Sequence, residues 1–211
     1  MVFNGLFVAE GTSDMPLSAL VEDLFGECGV RLRLTSPDFN QLRTKVNKDV
    51  RSRVEAGITL MGRTPDIVVV HRDADNVGAD TRRREITEAL GRIDPCLVCC
   101  PVIPVRMTEA WLLLDEPTIR QVAGNPRGRN DLRLPSVREV ERVTDPKQRL
   151  HECLLAASAA TGRRREKNAT RFANHRRQLL ERIDRHGPVT RLPSWQQLVD
   201  DVEKIAAGWH G

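Results

Sequence analysis

The sequence predicts an α/β fold, with a parallel sheet of about four strands flanked by helices and a helical C-terminal part. Short apolar runs, such as Val2–Ala9 and Ile67–Val70, show almost no polar alternation, which is typical of strands covered on both faces. Between them lie segments with apolar residues at helical spacing, for example Leu17, Leu20 and Leu24. This regular alternation of strand and helix indicates parallel strands joined by right-handed crossovers.

The first half of the chain is predicted to follow this alternation throughout. The first helix has Thr12 or Ser13 as a candidate N-cap, and Ser36 before Pro37 is a candidate start for the second. In chain order, the predicted strands and helices of this half cover residues 2–9, 12–26, 30–34, 36–54, 67–70, 80–93 and 96–103. A stretch over 57–65, which contains glycine and proline, is predicted to be a loop.

The second half is predicted to be helical apart from one long loop. A short helix begins at Thr108, and the loop is the Gly-, Pro-, Arg- and Asn-rich stretch over 124–135. Four further helices are predicted at 136–143, 147–160, 167–186 and 195–207. We therefore expect an α/β domain over residues 1–115 and a helical C-terminal extension over residues 116–211, packed on that domain.

Positive charge is concentrated late in the chain. The net charge is +4, and residues 163–191 contain ten Arg or Lys against three acids. Arg163, Arg164 and Arg165, with the helix that follows them, are therefore candidates for contacts to a phosphate backbone. A solvated helical face is the alternative. Aromatic residues make up only 4% of the chain, which argues against binding of single strands on an aromatic platform.

The chain shows no sign of export or of membrane insertion. No apolar run approaches the roughly 20 residues that span a bilayer, and the N-terminus does not have the pattern of a signal peptide. The five cysteines, two of them adjacent, make a poor disulfide framework. Cys96 and Cys99 lack a second pair of ligands for zinc, so we interpret the cysteines of the apolar run Cys96–Cys100 as buried core thiols. We expect a cytoplasmic protein without a membrane partner.

Carboxylates follow two of the predicted strands. Glu10 ends the first strand, and Asp73 and Asp75 come directly after the third. Each motif alone is common at surfaces and caps, but open α/β folds gather their chemistry at the C-terminal edge of the sheet. If extended, Asp73 and Asp75 point the same way, and Asp14 is expected to face the same crevice. Because these carboxylates would repel one another without a cation, we predict Mg²⁺, or Mn²⁺, bound by Glu10, Asp73 and Asp75.

These motifs resemble those of a known family. The segment Ala9–Asp14, which reads Ala-Glu-Gly-Thr-Ser-Asp, followed by Asp73–Asp75, resembles the Toprim domain of primases, topoisomerases and overcoming-lysogenization-defect nucleases. The segment Thr108–Asp115, with its Glu-Ala-Trp sequence, resembles a Toprim-related family of largely uncharacterised bacterial proteins. Asp145–Lys147 and Leu192–Trp195 resemble the downstream pattern of that family. The resemblance covers most of the chain and implies a Toprim-like, Rossmann-like sheet.

The resemblance also implies a function, that of a Mg²⁺-dependent nuclease that acts on DNA or RNA. Glu10 would be the general acid/base or a ligand, Asp73 and Asp75 would be Mg²⁺ ligands, and Glu109 would be an additional acid. The metal would acidify a bound water and stabilise the leaving oxygen. A role in bacterial defence against phage follows from the family analogy alone.

Five other residues are candidates for supporting roles. Lys147 or Lys167 could neutralise charge on the phosphate as a point charge. Arg72 could do the same or form a salt bridge with a carboxylate. His71 could orient a carboxylate, bind a metal or make only a polar contact, and Trp111 is predicted to pack in the core.

Two other functions stay open. One is a non-catalytic Toprim-fold module that binds nucleic acid, nucleotide or a partner, and the other is a nucleotide phosphohydrolase. The chain contains no tyrosine, which excludes a topoisomerase reaction through that residue. It also lacks a Walker-type run, so a partner ATPase would have to be encoded separately.

Overall fold

The computed structural model describes residues 1–210, which divide by their internal contacts into two compact units. The first unit consists of Met1–Arg72, Val77–Ile103 and the chain from Gln197 onward. The second consists of Asp73–Asn76 and Pro104–Gln196. The division therefore does not follow a single cut of the chain.

The first unit contains a four-stranded, all-parallel sheet in the order β2-β1-β3-β4. The strands are β1 (Val2–Val8), β2 (Arg31–Thr35), β3 (Ile67–His71) and β4 (Cys99–Val102). The strands β1 and β3 are central, so their C-terminal ends lie side by side. All five residues of β3 are buried, as expected for a strand covered on both faces. The predicted α/β class and parallel sheet are confirmed.

Helices flank this sheet and make up most of the second unit. In chain order they are α1 (Leu17–Glu27), α2 (Val50–Met61), α3 (Ala79–Gly91), α4 (Glu109–Leu112), α5 (Glu116–Val122), α6 (Pro146–Ser158), α7 (Gly162–Ala169), α8 (Phe172–Leu180) and α9 (Pro193–His210). The helical C-terminal part is therefore as predicted. Within residues 1–210, none of these helices has both the length and the apolar character needed to cross a membrane.

Both faces of the sheet are covered inside the first unit. On one face, Gly57 of α2 packs against Leu6 of β1. On the other, Trp209 of α9 stacks on Phe3 of β1 at 3.9 Å between ring centroids and on Phe25 of α1 at 5.5 Å. Residues 3 and 6 have opposite parity along the strand, so their side chains point to opposite faces.

Gly5 of β1 is required by close packing, which gives a first prediction. A Cβ at this position would lie 2.6 Å from Leu34 Cδ2, 2.7 Å from Ile67 Cγ2 and 3.1 Å from the Ile67 carbonyl oxygen. We expect Gly5→Ala to lower the free energy of unfolding by about 1–3 kcal/mol, measured by urea denaturation. Gly26→Ala is the control, because nothing lies within 4 Å of its Cβ position and alanine favours the helix. A Gly5→Ala protein as stable as wild type would contradict the prediction.

The second helix begins later than predicted. The chain after Pro37 forms only a 3-10 turn over Phe39–Gln41, where the side chain of Asp38 accepts from the N–H of Asn40 at 3.0 Å. The α2 helix starts with its own cap, Asp49, which accepts from the N–H of Ser52 at 2.8 Å. Two aspartates thus start two separate segments. The largely polar stretch between them contributes no buried side chain to the core.

Two other boundaries in the first unit were predicted wrongly. The α2 helix continues to Met61 and ends at Gly62, which has a φ of 67°, so most of the predicted loop over 57–65 is helical up to that cap. A glycine inside the helix was misinterpreted as a loop signal, although it serves close packing on β1. At the start of the unit, Thr12–Asp14 form a 3-10 turn, and α1 begins only at Leu17.

The second unit packs its helices around two tryptophans. The rings of Trp111 in α4 and Trp195 in α9 meet edge to face at 5.2 Å, and both side chains are almost completely buried. This confirms the predicted core position of Trp111. The tryptophans join α4 to the first turn of α9.

Two predicted helices of this unit differ in the structure. The one over 167–186 is two helices, because α7 ends at Ala169 and α8 starts at Phe172. The α7 helix has no buried residue, whereas α8 buries Leu179, so the two have different surroundings. The one over 136–143 is reduced to a 3-10 turn at Val140–Arg142.

Candidate functional site

The chain leaves β1 through Ala9 and Glu10, which lie beyond the last paired residue of the strand, Val8. Arg53 of α2 donates from Nη1 to the carbonyl oxygens of both residues, at 2.9 Å for Glu10. Backbone carbonyls that leave a sheet need such partners when they are shielded from water. A single guanidinium therefore holds the end of the strand in place.

The Glu10 carboxylate belongs to a row of alternating charges in the first unit. Arg72, which follows β3, places Nη1 2.9 Å from Glu10 Oε1 and Nη2 3.4 Å from Glu85 Oε1. Arg82 pairs with the other oxygen of Glu85 at 2.8 Å. The side chain of Arg72 is 15% exposed and that of Glu10 33%, so water screens this pair less than a surface pair. Of the two roles predicted for Arg72, the structure contains the salt bridge.

Asp14 and His71 form a buried pair in the first unit. His71 is completely buried and its Nδ1 lies 3.9 Å from Oδ2 of Asp14, whose side chain is 8% exposed. Ser13 donates its hydroxyl to the same Asp14 oxygen at 3.4 Å. His71 is thus beside a carboxylate, one of its predicted contacts, and Asp14 points inward. Both side chains are thus almost completely shielded from solvent.

Asp73 is oriented by Thr108 in the second unit. The backbone N–H of Thr108 donates to Asp73 Oδ1 at 3.0 Å, and its hydroxyl lies 3.2 Å from the same oxygen. Thr108 is completely buried, immediately before α4. Two contacts from one rigid residue fix the rotation of the carboxylate. The predicted start of a helix at Thr108 therefore also positions a predicted metal ligand.

Asp75 is not on an extended segment. Its φ is 47°, in the left-handed region that Asp and Asn tolerate better than most residues. Its N–H donates to the Arg106 carbonyl at 2.9 Å, and the Arg106 guanidinium bonds Asn76 Oδ1. The extended segment on which Asp73 and Asp75 would point the same way is therefore absent, because the chain turns at Asp75.

Glu109 has a buried partner in the second unit. Arg176 of α8 donates from Nε to Glu109 Oε1 at 2.7 Å, and the two side chains are 7% and 4% exposed, respectively. Nearby on α4, Trp111 donates its indole N–H to Ser194 Oγ at 2.8 Å. The Ser194 hydroxyl in turn donates to Glu141 at 2.5 Å. The α4 segment is thus held by two buried polar connections to later elements of the same unit.

The basic candidates are all on the surface of the second unit. Lys147 is exposed in the first turn of α6, and Lys167 is exposed in the last turn of α7. Arg163, Arg164 and Arg165 are exposed on the first turns of α7. The three arginines are consecutive and therefore project around the helix rather than along one stripe.

The cysteines separate into one exposed and several shielded thiols. Cys96 is exposed, whereas Cys100 and Cys153 are buried. Burial raises the pKa of Cys99 to about 12 and that of Cys153 to about 11, so both stay protonated at neutral pH. The interpretation as buried core thiols was right for Cys100 and wrong for Cys96, which is exposed before β4. Cys99 is only partly buried.

The roles of several residues around the candidates could not be predicted from the sequence. Arg53 resembles any charged residue on an amphipathic helix, and nothing in its neighbours indicates a contact to β1. Arg176 is one of the ten basic residues within 163–191, a segment that predicts a solvated or nucleic-acid-binding face, yet it is buried. Thr108 had a signal, because a hydroxyl residue directly before an acid and an apolar run is typical of a helix start.

The sequence-predicted residues divide between the units. Glu10, Asp14, His71 and Arg72 belong to the first unit. Asp73, Asp75, Glu109 and the exposed Lys and Arg candidates belong to the second. Among residues 1–210, neither unit by itself gathers three or more His, Cys, Asp or Glu side chains in a group that could hold a metal ion. Comparison with known protein families, curated proteins and solved structures gave no match.

Proposed function

We propose that the chain is a Mg²⁺-dependent phosphodiester hydrolase of the Toprim nuclease type, acting on DNA or RNA. The observation that carries this proposal is the order of the sheet. The strands followed by carboxylates, β1 and β3, are the two central and adjacent ones. Glu10 comes two residues after β1, and Asp73 two residues after β3. Catalytic groups in open parallel sheets are typically placed after such neighbouring strands.

The donor atoms suit a hard cation. Glu10, Asp73 and Asp75 offer carboxylate oxygens, which Mg²⁺ and Mn²⁺ prefer over nitrogen or sulfur. The softer donors in the first unit are poorly suited, because His71 is completely buried and Cys99 keeps its proton at neutral pH. This chemistry favours Mg²⁺ over Zn²⁺.

Individual side chains fit distinct roles in hydrolysis. When bound, the metal would polarise a phosphate oxygen and acidify a water molecule. Glu10, whose side chain is 33% exposed, is accessible for the role of general acid/base, whereas the Asp14 side chain is only 8% exposed. Arg72 balances the charge of Glu10. Thr108 keeps the Asp73 carboxylate in one orientation.

The basic surface of α7 supports a polymeric substrate. Arg163, Arg164, Arg165 and Lys167 are exposed, and α7 contributes nothing to the core. A short helix that buries no apolar side chain is free to use its charged groups for an outside partner. Exposed arginines neutralise backbone phosphates and release counterions, whatever the base sequence.

The proposal is tested by incubating the purified protein with plasmid DNA, single-stranded DNA, tRNA and free nucleotides, in Mg²⁺, Mn²⁺ or EDTA. We expect cleavage of at least one polymer with either metal and none in EDTA. Hydrolysis of free nucleotides alone would instead identify a nucleotide phosphohydrolase. No turnover of any substrate, with salt-sensitive binding of the polymers, would overturn the proposal in favour of a non-catalytic binding module.

A further inference from the structure

A small pocket lies beside the end of β1 in the first unit. Its volume is about 150 Å³, and it is lined by residues 7–12 together with Met15, Pro37, Phe39 and Arg53. Phe39 is half-buried in its 3-10 turn, so its ring forms part of the wall without belonging to the core. The pocket therefore combines an aromatic ring, two apolar side chains and a guanidinium next to the Glu10 segment.

The charges at this pocket favour an anionic ligand. The Arg53 guanidinium lies 6.0 Å from the centroid of the Phe39 ring, at the outer limit of a cation–π contact. Arg53 also donates to the Glu10 carbonyl oxygen at 2.9 Å, and Arg72 places Nη1 2.9 Å from the Glu10 carboxylate. Two guanidinium groups therefore contact Glu10. A phosphate group at this corner would be attracted by both of them.

The size of the pocket limits what can enter it. A pocket for a drug-sized ligand has about 300–1,000 Å³, so about 150 Å³ suits a single ring system rather than a whole nucleotide. A planar ring can pack against the faces of Phe39 and the guanidinium, while backbone groups of the Glu10 segment reach polar atoms at its edge. A flat heterocycle attached to a phosphate outside the pocket has both properties.

We infer that this pocket holds one unpaired nucleobase of the substrate, next to the phosphate that is processed. This inference rests on the proposed function and narrows it to nucleic acid with an unstacked base, as in single strands, loops or frayed ends. A base in a continuous duplex is stacked and paired, and cannot enter a pocket without paying to leave the helix. A single ring of this kind is compatible with an aromatic-poor sequence, since no platform of successive rings is required.

The test measures binding without cleavage, so that it does not depend on catalysis. The dissociation constants of a 5′-fluorescein-labelled, single-stranded DNA 12-mer and of the same sequence as a blunt duplex are measured by anisotropy in EDTA. We expect Phe39→Ala to weaken single-strand binding about tenfold, a typical loss for one base stack, and duplex binding less than twofold. In contrast to Phe39→Ala, Phe39→Trp is expected to retain single-strand binding.

Three controls separate this result from a general loss of structure or charge. Val2→Ala removes an exposed apolar side chain at the opposite end of β1 and should leave both constants unchanged. The slope of log Kd against log salt should not change in Phe39→Ala, because a neutral ring releases no counterions. Far-UV circular dichroism and the melting temperature report whether the variant is folded.

The outcomes distinguish the pocket from the proposed function. An equal effect of Phe39→Ala on single strand and duplex, or no effect on either, would overturn the pocket assignment even if metal-dependent cleavage is observed. Selective loss of single-strand binding without metal-dependent cleavage by the wild type would support the base pocket and reject the hydrolase.

Discussion

Replacing Asp73 with asparagine is expected to lower Mg²⁺-dependent cleavage by about two to three orders of magnitude, on the scale of losing one charge-stabilising group at a reaction centre. Asparagine keeps the size of the side chain and an oxygen that can accept from Thr108. It removes the negative charge that a cation requires. The initial rate on the polymer cleaved by the wild type is measured at several Mg²⁺ concentrations, together with the melting temperature.

The matched control for this prediction is Asp80→Asn. Asp80 is an exposed aspartate in the first turn of α3, where its charge only stabilises the helix N-terminus. We expect its rate to stay within twofold of wild type. If Asp73→Asn retains full activity and Asp80→Asn behaves the same way, the carboxylate after β3 has no role in hydrolysis. High Mg²⁺ that partly restores the Asp73→Asn rate would identify the defect as one of metal affinity.

Nucleic-acid binding by the Asp73→Asn protein gives a second readout. The exposed arginines of α7 are unaffected by this substitution, so the salt dependence of binding is expected to stay that of the wild type. A binding module without catalysis would show the same binding for both proteins and no cleavage by either. The combination of retained binding and lost turnover is therefore specific to a catalytic role.

The sheet could be predicted from the sequence because its signals are local. Strand β3 is an uninterrupted apolar run that ends at His71, and the alternation of strands and helices limits the topology to parallel crossovers. Glu10 and Asp73 could be placed after central strands for the same reason. Neither conclusion requires knowledge of distant contacts.

The surroundings of the candidates depend on contacts that are distant in sequence. Arg53 reaches the carbonyls of Ala9 and Glu10 over more than 40 residues, as the separations of 44 and 43 positions show. No pattern within α2 indicates this contact, because one arginine among several charged residues has the same local surroundings. The turn at Asp75 was missed because a left-handed aspartate has no sequence signature as strong as that of glycine.

Glu109 shows how burial changes the interpretation of a motif. As an acid after the fourth strand, Glu109 was expected to take part in catalysis. The structure places it in an ion pair with Arg176 that is almost completely shielded from water. The pair adds one contact between α4 and α8 within the second unit. Glu109 also lies directly after Thr108, which orients Asp73. A structural role for the pair and a catalytic role for Glu109 make different predictions.

Breaking this pair from the arginine side is expected to have the largest effect on stability. Arg176→Met leaves the Glu109 carboxylate buried without its partner, which typically lowers the free energy of unfolding by about 3–5 kcal/mol. The adjacent Arg177→Met is the control. Its side chain is 66% exposed and pairs with Glu181 one helical turn away, so we expect a change below about 0.5 kcal/mol. Urea denaturation followed by circular dichroism measures both, and equal stabilities would contradict the prediction.

Glu109→Gln and a double variant then separate structure from chemistry. Glutamine has nearly the shape of glutamate and can still accept a hydrogen bond from Arg176, although it leaves that arginine without a counter-charge. If Glu109 only supports the fold, the cleavage rate of Glu109→Gln should fall no further than its loss of folded protein explains. A fully folded Glu109→Gln protein that cleaves a hundredfold more slowly would instead assign Glu109 a role in the reaction.

Replacing both partners, as Glu109→Leu with Arg176→Met, removes both buried charges and should recover part of the stability that Arg176→Met alone loses. Recovery of stability together with activity would show that the pair acts through packing of α4 against α8, and that the orientation of Thr108 depends on that packing rather than on the charge of Glu109.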